Sequence, residues 1–136
     1  MMKNLLLFFC LIPFCLTGCN TMKGIGRKNN EPQLRYQDYA GAPIQQFTVM
    51  RVTEWSPVSR DELVIWGGIN EAWLLKVWDS CWNLEFVDSI AVTQTGHVIS
   101  RFDKVLAGQN QCPISEIRPV DVKAMKAARS AAKAKT

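Results

Sequence analysis

Short apolar segments alternate with turn residues along the chain from about Tyr36 onward. The segments are rich in β-branched and aromatic side chains, and most of them end at a Gly or at a polar pair. Runs of this length, separated by turn signals, are typical of all-β domains. The pattern therefore predicts a mainly β fold, a small antiparallel barrel or sandwich, built from Phe47–Trp55, Glu62–Trp66, Ala72–Trp78, Leu84–Gln94, His97–Leu106 and Cys112–Ile117.

Two of these segments fit more than one periodicity. Val98, Phe102 and Leu106 are four residues apart, which satisfies both the helical and the strand period. Leu84 begins a stretch that also fits a helical turn, with a strand starting near Ile90. We predict strands in both segments.

The C-terminal segment 119–136 differs in kind, because it is rich in Ala and Lys and contains no Gly. Pro119 suits the start of a helix and Asp121 suits its first turn. Five basic residues against one acidic residue give this segment a charge of +4, whereas residues 19–118 sum to −1. The sequence predicts a basic, solvated and partly frayed α-helix, with contact to an anionic lipid, a polyanion or the cell wall as the alternative.

The first residues have the pattern of a secretion signal. Lys3 precedes the apolar run Leu5–Leu16, which is shorter than the roughly 20 residues of a membrane-spanning helix. The run ends in Leu16-Thr17-Gly18-Cys19, which resembles the lipobox of bacterial lipoproteins. The resemblance implies cleavage after residue 18 and acylation of Cys19, which anchors a protein stably once two or more chains are attached.

Other interpretations of this segment are weaker. An ordinary cleaved signal without lipid would give the same apolar run. Cys10, Cys15 and Cys19 lack the close spacing and polar surroundings of a metal-thiolate site.

By resemblance to lipoprotein sorting rules, Asn20 rather than Asp after the acylated Cys favours the outer membrane. We thus expect an outer-membrane lipoprotein facing the periplasm, divided into a signal peptide (1–18), a flexible tether (19–35), a β domain (36–118) and a basic helical tail (119–136).

Two cysteines remain after the three in the N-terminal segment. Cys81 and Cys112 both lie in the expected domain, and export would place them in an oxidising compartment. We predict a disulfide between them. Two buried free thiols or a redox pair are the alternatives, and the absence of a C-x-x-C motif argues against the redox pair.

Few residues suggest catalysis or metal binding. His97 is the only histidine, which excludes a multi-histidine site within one chain, and it follows Gly96 at an expected exposed turn. The carboxylates show no metal-loop or paired-acid pattern, and no nucleotide-binding motif is present. We expect no catalytic residues, no metal and no cofactor, and we keep a carboxylate-based envelope enzyme as a distant alternative.

The five tryptophans are the densest remaining signal: Trp55, Trp66, Trp73, Trp78 and Trp82. Exposed indoles stack on sugar rings or bind a partner's apolar surface, whereas indoles in small barrels often fill the core. Trp73 and Trp78 are five positions apart, so a regular strand would place them on opposite faces. We expect most of the five to fill the core, and we keep a binding surface, with all five as candidate residues, as the alternative.

The segment from Tyr39 to Lys126 resembles small, uncharacterised exported proteins of Gram-negative bacteria that form a domain-of-unknown-function family. The matching pieces are Tyr39-Ala40-Gly41, Trp55, Leu74-Leu75, Cys81, Phe102-Asp103, Cys112 and Ile117-Arg118-Pro119-Val120-Asp121. The resemblance implies one continuous domain and supports the cysteine pairing, but it implies no activity. We expect a non-enzymatic module that binds or assembles an envelope protein, or that binds a glycan or peptidoglycan, and we expect no nucleic-acid partner.

Overall fold

The computed structural model describes residues 35–79, 81 and 84–135. The predicted signal peptide, the predicted acylation site Cys19, the predicted tether up to residue 34 and Trp82 lie outside the described residues. The described residues belong to one compact unit. They form two 3₁₀ turns, Tyr36–Tyr39 and Leu84–Phe86, and the elements β1 (Gln46–Thr48), β2 (Glu54–Pro57), β3 (Glu62–Gly68), β4 (Glu71–Val77), β5 (Ile90–Val92), β6 (Val98–Ser100), β7 (Lys104–Ala107), β8 (Asn110–Val120) and α1 (Val122–Lys133).

Six strands form one antiparallel sheet in the order β2-β3-β4-β8-β7-β5, which curls into a nearly closed barrel. β1 and β6 form a separate antiparallel ribbon. Single bridges from Ala40 to Val120 and from Ile44 to Ile117 link the segment before β1 to β8. The predicted mainly β fold with a C-terminal helix is confirmed, and of the two predicted forms, barrel or sandwich, the sheet forms the nearly closed barrel.

The barrel interior is filled by alternate residues of the central strands. Leu63, Ile65, Leu75 and Ile117 are fully buried there, together with Ile99 from the ribbon. Burial of these side chains drives folding, at about 25 cal/mol for each Å² of apolar surface removed from water. The disulfide Cys81–Cys112 adjoins this interior cluster and confirms the predicted pairing.

A bulge in β8 sets which of its side chains face inward. Lys76 pairs with Glu116 but Val77 pairs with Ile114, so Ser115 is the extra residue on β8. The Ser115 hydroxyl donates to the Lys76 carbonyl oxygen at 3.1 Å. Because the bulge shifts the alternation by one residue, Ile114 and Ile117 both reach the interior although they are three positions apart.

A second apolar cluster lies on the outer face of the sheet. Val64, Leu74 and Val120 point outward from β3, β4 and β8 and pack against Val122 and Met125 of α1. The Tyr36–Tyr39 turn packs against the same cluster. β3 and β4 are therefore buried on both faces, which explains the continuous apolar run in β3.

The prediction that Pro119 starts the helix is wrong. Pro119 pairs with Trp73 inside β8, and α1 begins at Val122. Asp121 is the N-cap, since its Oδ1 accepts a hydrogen bond from the Ala124 N–H at 2.9 Å. The helix is also not merely a solvated tail, because Val122 and Met125 are buried. The local preference of Pro for helix starts was overridden by the pairing of β8 with β4.

Three predicted strand segments are interrupted. Leu84–Gln94 begins with a 3₁₀ turn and becomes a strand only at Ile90. His97–Leu106 divides into β6 and β7, and Phe47–Trp55 divides into β1 and the start of β2. The turn at Gly96 is as predicted, and both Gly96 and Gly108 adopt positive φ, which L side chains disfavour.

Candidate functional site

The four described tryptophans lie in different surroundings. Trp73 faces the barrel interior, where its ring stacks on Phe47 with centroids 4.1 Å apart. Trp78 lies just after β4, outside the strand, and is 60% exposed. The structure therefore does not gather all the indoles on one surface, and Trp73 fills the core.

Trp55 and Trp66 are both partly buried and border recesses. Trp55 lies in β2 and packs against the interior cluster. Trp66 lies in β3, on the outer face, and meets Tyr36 edge-on with centroids 6.3 Å apart. Each of these two indoles lines one of the recesses described next.

The first recess lies at the seam of the barrel. It has a volume of about 250 Å³ and lies between the two edge strands of the six-stranded sheet. It is lined on one side by β2 and the two residues before it (Val52, Thr53, Glu54 and Trp55) and on the other by β5 (Ile90, Ala91 and Val92). β2 pairs with β3 and β5 pairs with β7, so the other edge of each strand faces the seam. We call this recess the seam cleft.

The second recess lies between β2, the β3–β4 turn and α1. It has a volume of about 460 Å³, and we call it the Trp66 groove; its lining residues are Thr53, Glu54, Trp66, Gly68, Ile69 and Lys126. Thr53 and Glu54 line both recesses, so the two adjoin at the start of β2. An indole, a carboxylate, a hydroxyl and an ammonium group are thereby placed around one concave region.

Hydrogen bonds fix the walls of the Trp66 groove. Lys126 reaches from α1 and donates to the Ile69 carbonyl oxygen at 2.7 Å and to Asn70 Oδ1 at 3.1 Å. Thr53 donates both its backbone N–H, at 2.8 Å, and its hydroxyl, at 3.1 Å, to the Trp66 carbonyl oxygen. The helix is thus tied to the β3–β4 turn, and the start of β2 is tied to the end of β3.

Asp61 and Glu62 lie close together at the β2–β3 turn. The Ser59 hydroxyl donates to Asp61 Oδ1 at 2.9 Å and lies 3.5 Å from Glu62 Oε2. Gln37 donates to Glu62 at 2.8 Å, and Lys76 Nζ lies 3.6 Å from Asp61. These contacts connect the β2–β3 turn to its neighbours, which is a structural arrangement rather than a pair of facing acids around a substrate.

The Asp103 carboxylate accepts hydrogen bonds from its own turn and from the residue that follows β5. Its Oδ2 accepts from the Ser100 backbone N–H and hydroxyl at 2.8 and 2.9 Å, and its Oδ1 accepts from the Thr93 hydroxyl at 2.9 Å. Burial raises its pKa, but the hydrogen bonds from Ser100 and Thr93 outweigh that effect, and the pKa is lowered from 3.8. Asp103 therefore fixes the β6–β7 turn in its ionised form.

Residues 35–79, 81 and 84–135 contain no cluster of three or more His, Cys, Asp or Glu side chains able to hold a metal ion. His97 is exposed, as predicted. In the same part of the chain, no helix is long and apolar enough to cross a membrane.

Residues 1–136 match DUF6491, a family of unknown function. The chain belongs to this family. No curated protein and no solved structure matches it. The DUF6491 match covers the whole chain, and it agrees with the expectation of a family without an assigned activity.

Sequence reasoning missed the two residues shared by the recesses of this DUF6491 protein. Thr53 and Glu54 were not singled out, because nothing local distinguishes them from other polar residues near a strand. Their position follows from two facts about the fold: β2 is an edge strand, and α1 lies beside the β3–β4 turn. In the sequence, the signal that pointed to this region was the adjacent Trp55, which was predicted as a candidate binding residue.

Proposed function

We propose that the protein is a non-enzymatic binding module of the bacterial envelope, tethered through lipid on Cys19 to the outer membrane and facing the periplasm. The lipobox Leu16-Thr17-Gly18-Cys19 and Asn20 support the tether and its location. A disulfide in the domain fits an oxidising compartment. The partner is an extended segment of an envelope protein, bound in the seam cleft.

The observation that carries this proposal is that, within the part of the chain that the structure describes, no further strand pairs with the seam-facing edges of β2 and β5. A strand at the edge of a sheet leaves backbone N–H and C=O groups available for an added strand. Here the edges of β2 and β5 border the same cleft. Trp55 and Ile90 add apolar surface for a side chain of the peptide. Pro57 has no N–H, which restricts added pairing on β2 to the residues before it.

A titration with peptides tests this site. The probes are extended peptides of alternating apolar and polar residues, selected from a random library on the full chain, and the same peptides with N-methyl groups at alternate residues. We expect the indole resonance of Trp55 to shift more than that of Trp66, and N-methylation to weaken binding. Peptides that bind equally well with and without N-methyl groups would contradict strand addition.

One substitution in β5 and one just after it form a matched pair that tests the site. Ala91 is exposed and lines the seam cleft, whereas Gln94 is exposed and lies outside its lining. We expect Ala91→Arg to weaken peptide binding at least about tenfold by filling the cleft. Gln94→Arg introduces the same charge and should leave the affinity unchanged.

The Trp66 groove favours a second candidate function, binding of a glycan such as a peptidoglycan fragment. Sugar sites combine an aromatic face with polar side chains, and the groove holds Trp66, Glu54 and Lys126. A soluble muropeptide serves as the probe in the same titration. A shift of the Trp66 resonance with muropeptide, and none with the selected peptides, would replace the peptide hypothesis with this one.

The tether has an independent test. Intact-mass analysis of the protein isolated from membranes should give a chain that starts at Cys19 and carries acyl groups. A mature chain that starts at another residue and carries no lipid would refute the lipoprotein proposal and leave the binding sites to be judged separately.

A further inference from the structure

We propose that the peptide partner pairs with β5 rather than with β2, and that the seam cleft selects segments in which two apolar residues flank one polar residue. This preference rests on the proposed function of the cleft, and it adds the paired edge, the register and the sequence pattern of the partner. The backbone groups that the two edge strands direct into the cleft support it. Their directions follow from hydrogen bonds on the opposite side of each strand.

On β5, Ile90 and Val92 direct their backbone groups into the cleft. Thr93, the residue after β5, donates its N–H to the Lys104 carbonyl oxygen at 2.9 Å, so its backbone faces β7. Along an antiparallel strand, residues that bond to the partner alternate with residues that do not. Ala91, two residues earlier in the same register, therefore also faces β7. The N–H and C=O groups of Ile90 and Val92 consequently face the seam.

The other side of β7 gives the same assignment. The Ile114 N–H donates to the Asp103 carbonyl oxygen at 3.1 Å, so the backbone of Asp103 faces β8. By alternation, Lys104 and Leu106 face β5. Leu106 is directly opposite Ala91. Ala91 is thus bonded to β7, and its two neighbours in β5 are left for a strand on the seam side.

β2 offers fewer backbone groups to a peptide. The Val58 N–H donates to a carbonyl oxygen at the start of β3 at 2.9 Å, and by alternation Trp55 and Pro57 face the seam. Pro57 has no N–H, and Thr53 donates its N–H to a β3 carbonyl oxygen. Trp55 therefore supplies the complete donor–acceptor pair of this edge. Since β5 supplies two such pairs, an antiparallel peptide forms more hydrogen bonds on β5.

The side chains of β5 set the sequence pattern of the peptide. Ile90 and Val92 pack against the interior cluster, whereas Ala91 is exposed. Residues directly opposite each other in an antiparallel pair point to the same face of the sheet. The peptide residues bonded to Ile90 and Val92 therefore point inward, beside the ring of Trp55, and the residue between them points outward. Apolar side chains suit the two inward positions, and a polar side chain suits the outward one.

Amide hydrogen exchange on the full chain tests the edge and the register. The probe is the peptide Lys-Thr-Val-Thr-Val-Thr-Lys. We expect saturating peptide to slow exchange of the Ile90 and Val92 N–H groups at least about tenfold, because both become hydrogen-bonded. The Ala91 and Thr93 N–H groups already bond to β7 and should change little. Slower exchange at Trp55 without slower exchange at Ile90 and Val92 would overturn the choice of β5.

Val92→Pro removes a donor that faces the seam and leaves the hydrogen bonds between β5 and β7 in place. Val92→Ala is the matched control, because it shortens the side chain and keeps the N–H. We expect Val92→Pro to bind the peptide at least about tenfold more weakly than Val92→Ala, with circular dichroism showing that both variants are folded. Equal affinities would contradict pairing at this position, and the exchange measurement needs no variant.

A peptide of the same composition, Lys-Val-Val-Thr-Thr-Thr-Lys, tests the sequence pattern. It breaks the alternation, so we expect it to bind at least about tenfold more weakly than the alternating peptide. Equal affinities would refute the pattern. If peptides selected from the random library bind in the seam cleft and the alternating peptide does not, this inference fails and the proposed function stands. If none of these peptides binds there, the proposed function fails as well.

Discussion

At the scale of single residues, the close approach of strands around Gly67 limits which side chain fits there. An ideal Cβ at Gly67 would lie 2.6 Å from Val49 Cγ2 and 3.0 Å from Trp73 Cζ3. Both neighbours are core residues, and Trp73 is stacked on Phe47. Neither side chain moves without disturbing the barrel interior.

We therefore predict that Gly67→Ala lowers the free energy of unfolding by about 1–3 kcal/mol through overpacking. Urea denaturation of the oxidised protein measures the change. Gly68→Ala is the control on the adjacent residue, where the nearest atom to an ideal Cβ is Glu71 Oε2 at 3.9 Å. Equal stability losses in the two variants would show that packing against Val49 and Trp73 is not the cause.

Asp103 makes stability depend on pH. Because its pKa is lowered in the folded state, its ionised form stabilises the protein above the unfolded-state value of about 3.9. That contribution is lost as the pH falls through the lowered folded-state pKa. Asp103→Asn should reduce the free energy of unfolding by about 1 kcal/mol at neutral pH, since one charged acceptor is lost.

Denaturation curves of Asp103→Asn and the wild type at neutral and acid pH check this prediction. The difference between the two proteins should shrink as the pH falls below the pKa of the wild-type carboxyl group. Asp88→Asn changes an exposed Asp on the neighbouring connection and should be close to neutral. A stability difference for Asp103→Asn that does not vary with pH would contradict the assigned role.

At the scale of elements, α1 shows how a segment with the composition of a solvated tail becomes part of the core. Its sequence is mostly Ala and basic residues, and only Val122 and Met125 are buried. Those two side chains cover apolar residues that β3, β4 and β8 direct outward. The helix therefore depends on the sheet, and the outer face of the sheet depends on the helix.

We predict that Met125→Ala lowers the free energy of unfolding by about 2–3 kcal/mol, because it leaves a cavity between α1 and the sheet. Lys123→Ala, on an exposed position of the same helix, should change it by less than about 0.5 kcal/mol. The measurement is thermal or urea unfolding followed by circular dichroism. If α1 were an independent tail, the two substitutions would have the same small effect.

At the scale of the whole molecule, the disulfide Cys81–Cys112 connects the β4–β5 connection to β8. The two residues are 31 positions apart, so the bond restricts a long loop in the unfolded chain. We predict that Cys81→Ala/Cys112→Ala loses about 3–4 kcal/mol of stability. Comparing the double variant with the oxidised wild type in urea gives the value, and a loss below about 1 kcal/mol would mean that native contacts alone close the barrel.

Much of this architecture follows from local sequence. Short apolar segments that end at turn residues predicted the strands around Leu63–Ile65 and Leu74–Leu75, and Gly96 predicted a turn. The presence of only two cysteines after Cys19 predicted the disulfide between Cys81 and Cys112. These features were predictable because strand alternation, turn conformation and cysteine pairing are determined by residues close in sequence or by simple counting.

Tertiary structure decided the rest. Pro119 belongs to β8 because β4 pairs with it, and the bulge at Ser115 lets Ile114 and Ile117 share the interior. The two recesses exist because β2 and β5 are the ends of the sheet and because Lys126 ties α1 to the β3–β4 turn. Strand order and edge positions arise from contacts between distant residues, and no local pattern records them. By itself, the sequence determined the β-rich class and the cysteine pairing, and it predicted lipid attachment at Cys19. The fold alone placed Thr53 and Glu54 beside both recesses, because only tertiary contacts bring the start of β2 next to β5 and α1.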